Sequence, residues 1–541
     1  MTDFSSTLLV ASLAAPLAFL IACCVKGWRR RVLGLQWLAP TPAVATGLIG
    51  LTHAPLPCNL SGLGFTLCLD PSGAMLLAVA SLLWIVVSAA LWRDHEPDSR
   101  FGLSWLLTMA GNIGVFIAGD LVSFYLVYAL ASIPAYGLFA FSDDTEQKRA
   151  GAIYMAFTIL GEALLLLAFA MLLAGEPHGS ARIVDVMDAL PASPWRDVAL
   201  GLIIAGFGMK IGMIPFNGWM PLTYNAAPIP AAAVLSGAGV KAGVIGLIRF
   251  LPLGVPLQGW GGALAAIGFL SALYSVAFGL TQRNPKVILA YSSISQMGVI
   301  AAALGMALGN GLADSSRDVA FYGANHLLVK AALFLTIGAL AIRGVRFSNT
   351  SLILAAALAL SLAGLPLTGG ALAKLALKAH FASGPAAVLA TVSSIGTALL
   401  MTHFLTCLAV PPPGAAQECP ASLIRFWPAV ALGAILLPWA FYPAVADVSN
   451  ALEFGKVLDG LWPVAVGAGL ALLLQRIGWP LPCVPIGDSI FLKERAFHRL
   501  LNIGPTLETL DARLRQWPAA GVSLLLIILA LLTAGVSGSW L

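Results

Sequence analysis

Stretches of about 20 apolar residues, the length that crosses a hydrocarbon core as a helix, recur along the whole chain. Sixteen are found, near residues 7–25, 33–51, 72–92, 101–119, 121–142, 151–174, 196–215, 229–251, 258–280, 286–309, 319–342, 351–378, 386–410, 424–446, 460–475 and 519–538. Short polar or basic loops separate them. The pattern predicts an all-α, polytopic membrane protein of about 14–16 transmembrane helices. The first run has no basic residues before it and is too long for the apolar part of a signal peptide, so it is expected to be a retained span.

Composition agrees that lipid is the solvent. Of 541 residues, 59% are hydrophobic and 10% are charged, where a soluble domain carries about 25% charged. The net charge of +5 is not the signature of a nucleic-acid binder, because the basic residues sit in short loops where they set topology. With the N-terminus outside, nineteen loop lysines and arginines fall on the cytoplasmic side, among them Lys26, Arg29–Arg31, Lys148 and Arg149, and four fall outside. This bias predicts a bacterial inner-membrane protein with a periplasmic N-terminus. Seven cysteines at positions 23, 24, 58, 68, 407, 419 and 483 form no CxxC pair. An iron–sulfur or zinc site is therefore not expected. Cys58 and Cys68 share one outer loop, as a disulfide or as two free thiols.

Two spans carry helix breakers. One holds Pro215, Pro221, Pro228 and Pro230 after Lys210, and the other holds Gly364-Leu-Pro366-Leu-Thr-Gly-Gly370. Irregular backbone at membrane depth is tolerated where it lines a polar cavity, and paired interruptions in two halves of a chain point to a transport path. The stretch 478–518 mixes charged and apolar residues and predicts a cytoplasmic amphipathic segment lying on the membrane or on a neighbour.

Against this background six bases stand out within spans or near their ends: Lys210, Lys241, Arg249, Lys330, Lys374 and Lys378. A charge at mid-membrane costs ~2.5–3.5 kcal/mol, and four central lysines together cost on the order of 10 kcal/mol. Arg249 and Lys378 lie close enough to span ends to snorkel. The other four need a purpose. Acids are scarce: Asp120 lies between two spans and Glu162 within one. Tyr322, His326 and Lys330 are spaced four apart, which stacks them along one helical face. Burial disfavours the charged form of a lysine, so such a group gains or loses a proton as nearby charge changes. A row of them, bridged by histidine and water, suits proton movement and not bond breaking.

At these residues the chain resembles the antiporter-like subunits shared by respiratory complex I, Mrp-type sodium/proton antiporters and membrane-bound hydrogenases. The matching stretches are Gly208-Met-Lys210-Ile-Gly-Met-Ile-Pro215-Phe-Asn-Gly-Trp219-Met-Pro221 with Ala227-Pro228 and Lys241 up to Arg249, then Lys286 to Gly298 around Tyr291, then His326-Leu-Leu-Val-Lys330, and finally Leu362-Ala-Gly364-Leu-Pro366 running to Lys374. The resemblance implies two inverted five-helix repeats, each with one broken helix. Lys210 is then the central lysine of the first half-channel and Lys241 the connecting one. His326 with Lys330 links to the second half, and Lys374 is the exit group. It further implies four regions: N-terminal helices over 1–100, half-channel repeats over 101–250 and 251–410, and C-terminal helices over 411–541. Partners are expected to be other membrane subunits of a complex I-like, Mrp-like, hydrogenase-like or inorganic-carbon-uptake assembly. Protons, or sodium alongside them, are the expected cargo, with no cofactor.

The departures from the family pattern are specific. Ala129 stands where the family places a glutamate, nine residues after the aspartate of Gly119-Asp120-Leu121, and Asn217 stands for the histidine of P-F-H-x-W. Lys210 thus lacks the family's counter-ion, and Glu162 is the expected substitute. Loss of that glutamate also admits the alternative of a scaffold subunit that conducts nothing. A self-contained redox enzyme is not expected, since no dinucleotide fingerprint is present.

Overall fold

Each apolar run closes on itself as a helix, because no water reaches the hydrocarbon core to satisfy backbone N–H and C=O groups. The computed structural model describes residues 2–25, 27–60, 65–91, 99–140, 144–343, 349–381, 384–408, 422–478 and 484–487, all within one unit that ends at Gly487. The span expected at 519–538 and most of the amphipathic stretch 478–518 lie outside the described residues.

In chain order the first part runs α1 (Thr2–Cys24), α2 (Arg29–Leu35), α3 (Thr41–His53), β1 (Leu56–Leu60), β2 (Phe65–Leu69), α4 (Pro71–Leu91), α5 (Ser99–Ile117) and α6 (Leu121–Ser132). Then come α7 (Thr145–Gly175), α8 (Ile183–Ala189), α9 (Arg196–Ile211), α10 (Trp219–Ala226), α11 (Ile229–Val234) and α12 (Lys241–Phe250). The second part is α13 (Gln258–Leu280), α14 (Pro285–Asn310), α15 (Ser315–Arg343), α16 (Asn349–Ala363), α17 (Gly369–Lys378), α18 (Gly384–Leu408), α19 (Leu423–Phe441), α20 (Val448–Ala451) and α21 (Phe454–Ile477). Among the described residues, thirteen continuous segments are long and apolar enough to cross a membrane. The two broken helices, α9–α10 and α16–α17, fall at the two predicted interruptions.

Burial sorts the helices into a centre and a rim. The spans Ile229–Phe250, Pro285–Asn310 and Ser315–Ala341 are each 94% buried across their apolar windows, whereas those of α1 and α21 are 22% buried. Lys241 and Lys330 therefore sit on helices that face protein and not lipid. Close backbone approach lets α13 and α14 pack this tightly: a Cβ on Gly268 would stand 2.6 Å from Gly298 O, and one on Gly298 2.5 Å from Gly268 O.

The hairpin β1–β2 was not visible in the sequence, where its short alternation read as loop. Its register sets Cys58 opposite Leu67 and Cys68 opposite Pro57, and the Cys68 thiol is free. The hairpin is stitched to the end of α5. Gly119 N donates to Thr66 O (2.8 Å), and Asp120 accepts from Thr66 N (2.6 Å) while capping α6 through Ser123 N (2.8 Å). Arg249 completes the knot. Instead of snorkelling, its Nε donates to Asp70 Oδ2 (2.7 Å) and its two other nitrogens to the free carbonyls of Val115, Phe116 and Ala118. The arginine thus satisfies the orphan C=O groups that a helix leaves at its C-terminus. Lys378 does reach the surface, where it pairs with Asp459 at 2.8 Å.

Candidate functional site

The first break follows from Gly212, which takes a left-handed φ of 72° and ends α9 two residues past Lys210. The chain then crosses Pro215 and Asn217 before α10 begins. Trp219, the tryptophan of the first motif, returns its indole N–H to the freed carbonyl of Met209 at 2.8 Å. Pro228 precedes α11 and sets its start. Lys210 is half-buried. Its ammonium donates to Ser132 Oγ at 2.7 Å and lies 5.6 and 6.0 Å from the ring centres of Tyr128 and Tyr154. Glu162 is 6% exposed and interacts electrostatically with Lys210, yet its Oε1 makes no hydrogen bond. The expected substitute therefore lies in the neighbourhood but is not the lysine's direct partner. The helix carrying the lost glutamate still serves Lys210, three residues further on.

Lys241 opens α12 immediately after a wide π-type turn at Leu235–Gly239, the kind of irregularity often found at functional sites. Asn112 donates to the Ala238 carbonyl in that turn at 3.0 Å, and is itself held by Trp84 Nε1 at 3.1 Å. The Lys241 ammonium meets His326 Nδ1 at 2.9 Å, and both groups are buried.

Three residues share one face of α15 and diverge to separate partners. Tyr322 Oη donates to Gln296 Oε1 at 2.5 Å, His326 meets Lys241, and Lys330 donates to Leu289 O at 2.7 Å and to Ser292 Oγ. Leu289 and Ser292 belong to the second motif on α14. Lys241, His326 and Lys330 also interact electrostatically, so they form one closed cluster with no carboxylate bonded to it among the described residues.

The second break runs from Gly364 (φ 98°) through Pro366 to Leu367, a non-glycine residue held at φ 64°. Such a conformation stores strain and marks a site where surrounding structure enforces it. Lys374, in the half-helix beyond the break, reaches back and donates to the carbonyl of Ala363. It borders a cavity of about 270 Å³ whose wall includes Gln296, Tyr322, Thr397 and Lys378. Tyr322 thus touches the same cavity as Lys374, while its neighbours on α15 belong to the closed cluster.

Lys241, His326 and Lys330 therefore form a buried cluster, while Lys210 and Lys374 are half-buried, one at each helix break. Asp120 and Arg249 stand apart from this row in the knot around the hairpin. Sequence reasoning missed the neutral groups around these bases: Ser132 and Ser292, which accept from Lys210 and Lys330, Gln296, which accepts from Tyr322, and Asn112, which holds the turn before Lys241. The available signal was a polar residue within an apolar span, such as Tyr128 and Ser132 at helical spacing.

The family described as NADH:quinone oxidoreductase/Mrp antiporter, TM, matches residues 118–400. Hydrogenase-4 component B of Escherichia coli is 31% identical over 293 residues, 51% of this chain and 43% of that one. NADH-quinone oxidoreductase subunit N of Rubrobacter xylanophilus is 30% identical over 62% of this chain and 72% of its own. The chain thus spans less than half of the first of these relatives. Among solved structures, the Mrp complex from a Dietzia species aligns with a TM-score of 0.75 and 20% identity, covering 99% of this chain and 63% of that one, which speaks for the fold. Since the family match takes in more than half of the chain and includes all five bases in the row, with His326, Lys330 and Lys374 in its second half, the chain belongs to the NADH:quinone oxidoreductase/Mrp antiporter transmembrane family.

Proposed function

We propose that this chain is a proton-translocating subunit of a multi-subunit membrane assembly, moving protons along Lys210, Lys241, His326, Lys330 and Lys374. The observation that carries the reading is the cluster of Lys241, His326 and Lys330. Three basic groups are buried together on two central helices, at a cost in the membrane that a purely structural subunit has no reason to bear. In this reading the two half-buried lysines at the helix breaks are the cluster's neighbours along the path, and Tyr322, on the helix of His326 and Lys330, lines the cavity that Lys374 borders. Glu162 acts on Lys210 through its charge. In this reading residues 101–250 and 251–410 are the two half-channel repeats, preceded by helices of 1–100 and followed by those of 411–541. The membrane is the bacterial inner membrane, with the N-terminus periplasmic. The partners are membrane subunits of a complex I-like, Mrp-like, hydrogenase-like or carbon-uptake assembly, and sodium is the competing cargo.

The test is proton uptake into inverted membrane vesicles containing the assembled complex, with Lys330→Ala and Lys210→Ala compared with the parent. Both substitutions should abolish uptake while the complex still assembles. Full uptake in both variants would leave only the scaffold role, and uptake that depends on sodium in place of a proton gradient would reassign the cargo.

A further inference from the structure

Lys210 is the base whose family counter-ion is missing, and its surroundings are built in an unusual way. An ammonium has three N–H donors to place. One goes to Ser132 Oγ at 2.7 Å. The faces of Tyr128 and Tyr154, 5.6 and 6.0 Å away at their centres, are within the range at which an aromatic ring attracts a cation. Neither ring is free to swing. Tyr154 Oη donates to Ser132 O at 2.7 Å, and its ring stands edge-on to Phe139 and Trp219 at 5.3 and 5.5 Å. Tyr128 is wedged against Phe207 at 5.7 Å. Trp219 is in turn fixed by its bond to Met209 O, the residue before the lysine. Beside the ammonium remains a space of about 20 Å³, bordered by Ser132, Tyr154, Thr158 and Lys210. That is room for one water, with several polar groups to hold it.

We propose that Tyr128, Ser132 and Tyr154 form a seat that holds the Lys210 ammonium in place of a carboxylate, with a single water completing its hydrogen bonds. The seat deepens the translocation reading and rests on it. It binds a cation through a hydroxyl and two aromatic faces, so the charge is supported without a salt bridge that would pin it. It also explains why α6 can dispense with the glutamate at Ala129: Ser132 presents its hydroxyl one helical turn later on the same helix. Tyr128, Ser132 and Tyr154 are thus positioning residues for Lys210.

The experiment measures proton uptake and its pH profile in vesicles bearing the assembled complex, normalised to the amount of subunit present. Ser132→Ala should lower uptake about ten-fold, the effect of losing a hydrogen bond to a charged group, and should move the pH optimum. Tyr128→Leu should act in the same direction. Ser132→Thr, which keeps the hydroxyl, and Tyr128→Phe, which keeps the ring, should restore most of the rate and the parental profile. The inference is overturned if Ser132→Ala and Tyr128→Leu keep parental rates while Lys210→Ala abolishes uptake, or if the conservative variants fall as far as the disruptive ones. Retention of uptake in Lys210→Ala would instead sink the translocation reading itself.

Discussion

Gly364 offers a sharp test of how the second break works. It holds φ at 98°, and a Cβ built there would lie 2.8 Å from Cδ of Lys374 and 3.4 Å from its Nζ. Gly364→Ala therefore acts twice. It places a side chain in a backbone region that L-residues avoid, at ~1–3 kcal/mol, and it pushes Lys374 away from the Ala363 carbonyl, forfeiting a charge-assisted bond of ~1.5–3 kcal/mol. Relaxation of the break will recover part of one term or the other, so the net loss is expected to be about 2–4 kcal/mol. Gly384 supplies the control, because it too has a left-handed φ of 71° but nothing lies within 4 Å of an added Cβ. Gly384→Ala should cost only the backbone strain. In vesicles, Gly364→Ala should slow proton uptake about ten-fold or more, while Gly384→Ala leaves the rate near the parent and lowers thermal stability slightly. Equal uptake in the two variants would refute the claim that the Lys374–Ala363 contact matters to transport.

Three further outcomes are expected. Arg249→Leu removes the partner of the half-buried Asp70 and leaves the carbonyls at the end of α5 without their donor, at ~1–3 kcal/mol for each buried group left unsatisfied, and should sharply reduce the subunit recovered in membranes; normal accumulation would deny the knot its stabilising role. Tyr322→Phe leaves Gln296 Oε1 without its donor, costing ~1–3 kcal/mol, and should slow uptake without loss of assembly. Asp144→Cys should react with an impermeant thiol reagent only in inverted vesicles, and labelling in intact cells would reverse the topology.

The fold was legible because the solvent is lipid. When every backbone group must be satisfied internally, an apolar run of about 20 residues has one outcome, and the predicted runs up to residue 475 fall on helices with their breaks at Pro215 and Gly364–Pro366. The hairpin escaped because a five-residue alternation in β2 gives too little periodicity to separate a strand from a loop. Arg249 was misjudged for a related reason. Position near a span end permits snorkelling, but only the folded chain reveals that the free carbonyls of α5 lie within its reach.

The site was legible in its charges and illegible in their partners, and the difference has a physical cause. A charge inside a membrane announces itself in one dimension, because it is expensive wherever the chain goes. Its partner need not be charged. Here Lys374 bonds the carbonyl released where α16 ends, Lys330 bonds the carbonyl of Leu289 and a serine, and Lys210 bonds Ser132 between two tyrosines. Backbone carbonyls carry no sequence signal, and a serine in a span is ordinary. A search for a replacement acid therefore found Glu162, whose charge does act on Lys210, while the bond itself went to a hydroxyl. Neutral acceptors suit a lysine that must exchange a proton better than a salt bridge does. They stabilise the ammonium by less than a carboxylate would, so less is lost when it is discharged. The acid-poor row is consistent with conduction for that reason, and the missing glutamate at Ala129 is not by itself an argument for a silent scaffold.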